Sequence, residues 1–141
     1  MGMRMPGWYD ITSLSDTNRS EDVEGIERSR KYFHDLISEE IQSGIPADRI
    51  LLGGFSQGGA MSLHAGLTCP HKLSGIFGLS SYMPLRDKFK AMIEESGDAN
   101  KKTKIFMGHG DADPVVKYEH GKMTADQLKE WSYDVTFNTY P

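Results

Sequence analysis

Short apolar runs alternate with amphipathic stretches along the chain, the order in which strands and helices follow one another in βαβ units. A first helix is predicted near Ser20 as N-cap, with Glu21 and Asp22 in its first turn and Ile26, Phe33, Ile37 and Ile41 on one face. Gly44 and Pro46 end it. Arg49 to Phe55, reading RILLGGF, is a short apolar run between the Pro46-Ala47-Asp48 turn and glycines, the mark of a buried strand. Gln57 to Leu67 then reads as a helix, Leu73 to Leu79 as a strand and Asp87 to Glu95 as a short helix. Lys104 to Met107 is a third strand that runs into His109-Gly110-Asp111-Ala112-Asp113. A helix from Tyr118 to Trp131 and a strand from Val135 to Tyr140 complete the pattern. It predicts an α/β fold, a mostly parallel sheet with helices on both faces.

Composition narrows this. A chain of 141 residues is one domain at most, and short for a doubly wound sheet. Hydrophobic residues make up 38% and the mean hydropathy is -0.50, low for strands buried on both faces, which favours a partial domain. The balance of 16 Lys+Arg against 20 Asp+Glu gives a net charge of -4 with no run of like charge, so no nucleic-acid surface is expected. No apolar stretch has the form of a signal peptide or a spanning helix, and a soluble intracellular protein with no stable membrane insertion is expected. Cys69 is the single cysteine, which excludes an internal disulfide and a cysteine metal cluster. Neither a metal nor a cofactor is expected.

Gly54-Phe55-Ser56-Gln57-Gly58 matches G-x-S-x-G between a predicted strand and a predicted helix, where a nucleophilic serine sits on a cramped turn. Side chains two residues before and after the serine should collide, so Gly54 and Gly58 supply room, extended by Gly53 and Gly59. The turn lifts the Ser56 hydroxyl above the carboxyl edge of the sheet, and the backbone N–H of Gln57 is a natural oxyanion donor. No Lys-Ser/Thr pair follows the glycines, which disfavours a phosphate-binding P-loop.

A serine needs a base oriented by a carboxylate, in the chain order Ser, acid, His. Asp113 is the expected acid, with Asp111 the competing choice and otherwise a turn or capping residue. The base should follow the Val135–Tyr140 strand, where no histidine remains. Of the five histidines, His34, His64, His71 and His120 read as surface or packing residues. His109 precedes the acid and shares its loop, which disfavours it as the base.

The chain resembles the acyl-protein thioesterases of the phospholipase/carboxylesterase group of α/β-hydrolases. The resemblance rests on Met5-Pro6-Gly7-Trp8-Tyr9-Asp10, on Gly44 to Ile50 leading into Gly53 to Ala60, on Leu79-Ser80-Ser81-Tyr82-Met83-Pro84-Leu85 and on His109 to Val116. It implies a single partial α/β-hydrolase domain over residues 1–141, truncated at both ends. It further implies Ser56 as nucleophile, Asp113 as charge-relay acid, Gln57 as one of two oxyanion donors, and a catalytic histidine a few residues past the Pro141 equivalent. The implied activity is hydrolysis of long-chain acyl (palmitoyl) thioesters on protein cysteines, or of lysophospholipid and simple carboxyl esters. S-acylated proteins or lysolipids are the implied partners, and the cytoplasm and nucleus the implied location. A non-catalytic fragment, aggregating through an unpaired sheet edge, is the alternative expectation.

Overall fold

The computed structural model describes residues 6–11 and 21–141. The predicted N-cap at Ser20 lies outside the described residues. Helix α1 spans Val23–Gln42, and its cap is Asp22, whose carboxylate accepts the Gly25 N–H at 3.0 Å. Ile26, Phe33 and Ile37 are buried, with Ile41 packed at their margin. At the far end Gly44 takes a left-handed φ of 110°. There the Gly44 and Ile45 N–H groups turn back to the carbonyls of Ile41 and Glu40, which closes the helix.

A single-turn helix at Ala47–Arg49 leads into strand β1, Leu51–Phe55. Helix α2 (Gln57–Leu67), strand β2 (Gly75–Leu79), a single turn at Arg86–Lys88 and helix α3 (Phe89–Ser96) follow. Strand β3 (Lys104–Gly110), helix α4 (Tyr118–Glu130) and strand β4 (Asp134–Tyr140) complete the chain. The strands form one four-stranded parallel sheet in the order β1-β2-β3-β4, each step bridged by a helix. This is the α/β arrangement that the hydrophobic pattern predicts.

The main core gathers Leu63 and Leu67 from α2, Ile76, Ile105 and Met107 from the sheet, Phe89 from α3 and Leu128 from α4. Each such side chain contributes roughly 1.5–3 kcal/mol by leaving water. A second cluster joins Ile26 and Phe33 of α1 to Met61 and Ala65 of α2, with Tyr9 and Leu85 closing it. The loops at the amino edge are tied by Asn100, which is 1% exposed. Its carboxamide accepts from Leu73 N–H and the Thr103 hydroxyl, both at 2.8 Å, and donates to the carbonyls of Cys69 and His71.

Among the described residues nothing pairs with the outer edge of β1, where Leu51 and Phe55 are 61% and 70% exposed. No helix among the described residues is long and apolar enough to cross a membrane.

Candidate functional site

In a parallel sheet every strand delivers its following loop to the same rim, and ligands of such sheets bind there. Phe55, Leu79, Gly108 and Asn138 share one row across the sheet. Ser56 stands one residue beyond that row on β1, Ser80 one residue beyond it on β2, and Asp113 three residues past the end of β3. The rim is laced laterally by backbone bonds. Ser56 N–H donates to Leu79 O at 2.7 Å, Ser80 N–H to Gly108 O at 2.8 Å, and Asp111 N–H to Tyr140 O at 2.8 Å.

Ser56 adopts φ 56° and ψ -120°, a conformation that costs an ordinary residue about 1–3 kcal/mol and persists only where its surroundings impose it. The constraint is visible in the glycines. A Cβ on Gly54 would stand 2.6 Å from Gly58 O and 2.8 Å from Gly59 N, both backbone atoms that cannot yield. On Gly59 it would stand 2.7 Å from Gly54 O and 2.9 Å from the Ser81 Cβ. Gly58 departs from the expectation: a Cβ there would meet only the Trp8 indole nitrogen, at 3.7 Å, an ordinary contact. The residue that must lack a side chain after the serine is Gly59, because α2 turns its third residue rather than its second onto β1.

Gln57 opens α2, so its backbone N–H is among those a helix start leaves without an intrahelical partner. Its side chain turns to the Trp8–Tyr9 segment, accepting Trp8 N–H at 2.5 Å and donating to Tyr9 O at 2.8 Å.

The Asp113 side chain is 14% exposed. One carboxylate oxygen accepts the N–H groups of Val115 and Val116, both at 2.9 Å, while the other lies 3.5 Å from His109 Nε2. Partial burial alone would raise its pKa. The Val115 and Val116 amides, the Ser80 hydroxyl and His109 outweigh it and hold the carboxyl below its ordinary range. Asp111 is an exposed turn residue whose backbone N–H joins the lacing to β4.

His109 lies within β3, paired with Thr139, rather than in the loop with the acid. The glycines on either side read as loop in sequence, but β4 continues the pairing through Gly110. Its buried Nε2 stands 2.8 Å from Val116 O, and because a carbonyl only accepts, that nitrogen carries the proton. The other nitrogen is buried without a partner against α4, where a Cβ on Gly121 would come 2.9 Å from the ring Cε1. This imidazole is committed to the interior beneath the Asp113 loop.

Ser80 and Ser81 were not singled out for chemistry by their sequence. Ser80 has φ 53°, its hydroxyl helps lower the Asp113 pKa, and it stands on the middle strand between Ser56 and Asp113. The buried Ser81 hydroxyl packs against Gly59 and Gly78. The available signal was a pair of serines ending an apolar strand. Among the described residues no three His, Cys, Asp or Glu side chains gather as metal ligands would.

Residues 1–141 match the sequence pattern of the family described as phospholipase/carboxylesterase. Two curated relatives named acyl-protein thioesterase 1, from Neurospora crassa and Gibberella zeae, are 58% and 57% identical over 99% and 100% of the chain. The chain spans only 58% and 61% of those relatives' length. Among solved structures, Arabidopsis thaliana SOBER1 matches with a TM-score of 0.86 at 30% identity, over 96% of this chain and 63% of that one. Zea mays acyl-protein thioesterase 2 matches with a TM-score of 0.79 at 31% identity, over 95% of this chain and 62% of that one.

Proposed function

Because the chain belongs to the phospholipase/carboxylesterase family, we propose that it carries the nucleophile and acid of a serine acyl hydrolase, with Ser56 as nucleophile and Asp113 as the acid that orients the base. The observation that carries this reading is the strained Ser56 turn sharing one rim of the sheet with a carboxylate held ionised two strands away. Ser56 Oγ passes its proton to the base that Asp113 orients and attacks the acyl carbonyl, and the Gln57 backbone N–H faces the oxygen on which charge develops. As the C–S or C–O bond breaks, the base returns the proton to the leaving group. The leaving group departs, and water then releases the acyl chain from Ser56.

Long-chain acyl thioesters on protein cysteines are the proposed substrates, supported by the name that the Neurospora and Gibberella relatives share. A thiolate is a better leaving group than an alkoxide, so a thioester asks less of the general acid. Lysophospholipid and simple carboxyl esters follow as secondary substrates, supported by the family description. The cytoplasm and nucleus are the proposed setting, consistent with a single buried, unpaired cysteine.

Fluorophosphonate labelling tests the reading. Covalent capture by the wild-type chain, lost in Ser56→Ala with the fold intact by circular dichroism, is the expected result. Capture that persists in Ser56→Ala would place the nucleophile elsewhere. The commitment of His109 to Val116 favours a second reading, a chain that binds esters without turning them over. A folded wild type that binds acyl ligand but is never labelled would establish it.

A further inference from the structure

The Pro6–Ile11 segment contains neither helix nor strand, yet hydrogen bonds from the side chains of Ser29, Tyr82, Asp22 and Gln57 hold it. The Ser29 hydroxyl donates to Trp8 O, the Tyr9 and Tyr82 hydroxyls share a hydrogen bond, and Asp22 accepts the Asp10 N–H at 2.9 Å. These three fasten the segment to α1 and its cap and to the loop after β2. The Trp8 ring meets Phe33 edge-on at 4.7 Å between centroids. The two bonds made by Gln57 join the segment to the turn that carries Ser56.

A carboxamide accepts and donates at once, so the Gln57 side chain reads one N–H and one C=O of an extended backbone as a neighbouring strand would. The missing side chain at position 58 belongs to the same arrangement. Backbone crowding does not require glycine there, and a Cβ would project toward the Trp8 indole. Pro6, Gly7, Trp8, Gln57 and Gly58 together line an open trough of about 460 Å³ beside the serine turn.

We propose that the Gln57 carboxamide is a clasp that fixes the Pro6–Ile11 segment against the Ser56 turn, which makes Gln57 a positioning residue for the wall beside the nucleophile. Its catalytic meaning rests on the hydrolase reading of Ser56. The clasp itself is tested separately from that reading.

The full chain is prepared with Trp131→Phe, leaving Trp8 as the sole indole of the two, and acrylamide quenching of its emission is measured. Trp8 is 39% exposed when clasped, so Gln57→Ala is expected to raise the quenching constant roughly twofold. Gln57→Glu supplies the decisive readout. An ionised carboxylate accepts from Trp8 but cannot donate to Tyr9, whereas a protonated carboxyl does both. In Gln57→Glu, Trp8 is therefore loose at neutral pH and tightens as pH falls through the titration of the new carboxyl. Wild type and Gln57→Ala show no such step, and Asp10 and Asp22, the nearby carboxylates, are common to all three.

Identical quenching in the three proteins at every pH would overturn the clasp. Should Trp131→Phe fail to fold, the series is run with Trp131 in place and read as the difference from Trp8→Phe. Labelling of Ser56 by fluorophosphonate is expected to slow roughly ten- to a hundredfold in Gln57→Ala. An unchanged labelling rate with a loosened Trp8 would overturn the positioning role. A clasped wild type that is not labelled at all would leave the clasp standing and count against the hydrolase reading alone.

Discussion

Gly54→Ala is expected to destabilise the fold by about 3 kcal/mol or more, while Gly58→Ala, four residues away in the same motif, leaves stability within about 0.5 kcal/mol of wild type or raises it slightly. The difference lies in what the added methyl meets. At Gly54 it meets the carbonyl of Gly58 and the amide of Gly59, and neither can move without unwinding the first turn of α2. Overpacking against backbone has no side-chain rotamer to relieve it. At Gly58 the methyl enters the trough beside Trp8, and alanine is the better helix former. Urea denaturation of the two variants checks the pair. Equal destabilisation by both would show that the motif's glycines serve the turn symmetrically, contrary to the geometry.

Between pH 7 and pH 4.5 the protein is expected to lose about 2–3 kcal/mol of stability, most of it through His64. That side chain lies on α2 facing α1, 0% exposed, with neither ring nitrogen hydrogen-bonded. Glu27 Oε1 stands 3.9 Å from Nε2, beyond hydrogen-bond reach, and does not compensate for burial. Burial first, then the charges of Arg30 and His34, push the His64 pKa down to about 3. The unfolded chain takes up this proton below about pH 6.5, whereas the folded chain does not until about pH 3. Stability is therefore full above that upper value and drains by about 1.4 kcal/mol per pH unit as acid is added.

His34, also lowered mainly by burial, adds to the same limb. The carboxylates of Asp22 and Asp113 are held down instead, so their contribution is lost only below the ordinary carboxylate range. His64→Leu should flatten most of the slope above about pH 4.5 and leave the more acidic limb in place. Urea midpoints at the two pH values measure it directly. A wild-type midpoint that does not move between them would mean that His64 is solvated.

Much of this fold was legible because its signals are local. Helix α2 is found at Gln57–Leu67 as predicted, since a glycine-rich turn followed by small and apolar residues leaves little alternative. Strand β3 outran its predicted end because Gly-His-Gly looks like loop until a partner strand is present to pair with it. Asp22 caps α1 through the Gly25 amide, a contact that the run of neighbouring polar residues does not single out in sequence. The site divides the same way. Ser56 and Asp113 carry motif-scale signals, but the Gln57 side chain finds partners 48 and 49 residues away. Ser80 becomes visible beside Asp113 only when β2 lies between β1 and β3. Such contacts depend on strand order, which residue spacing does not encode.

The lateral bonds along the rim give these loops a shared fate. Each exit loop hangs from the last carbonyls of the strand beside it, Ser56 from β2, Ser80 from β3 and Asp111 from β4. Loosening at the Tyr140 carbonyl therefore slackens the Asp111–Asp113 loop, loosening at Gly108 the Ser80 turn, and loosening at Leu79 the Ser56 turn. Amide hydrogen exchange at positions 111, 80 and 56 should record that coupling, each amide losing protection when the neighbouring strand end that holds it is weakened.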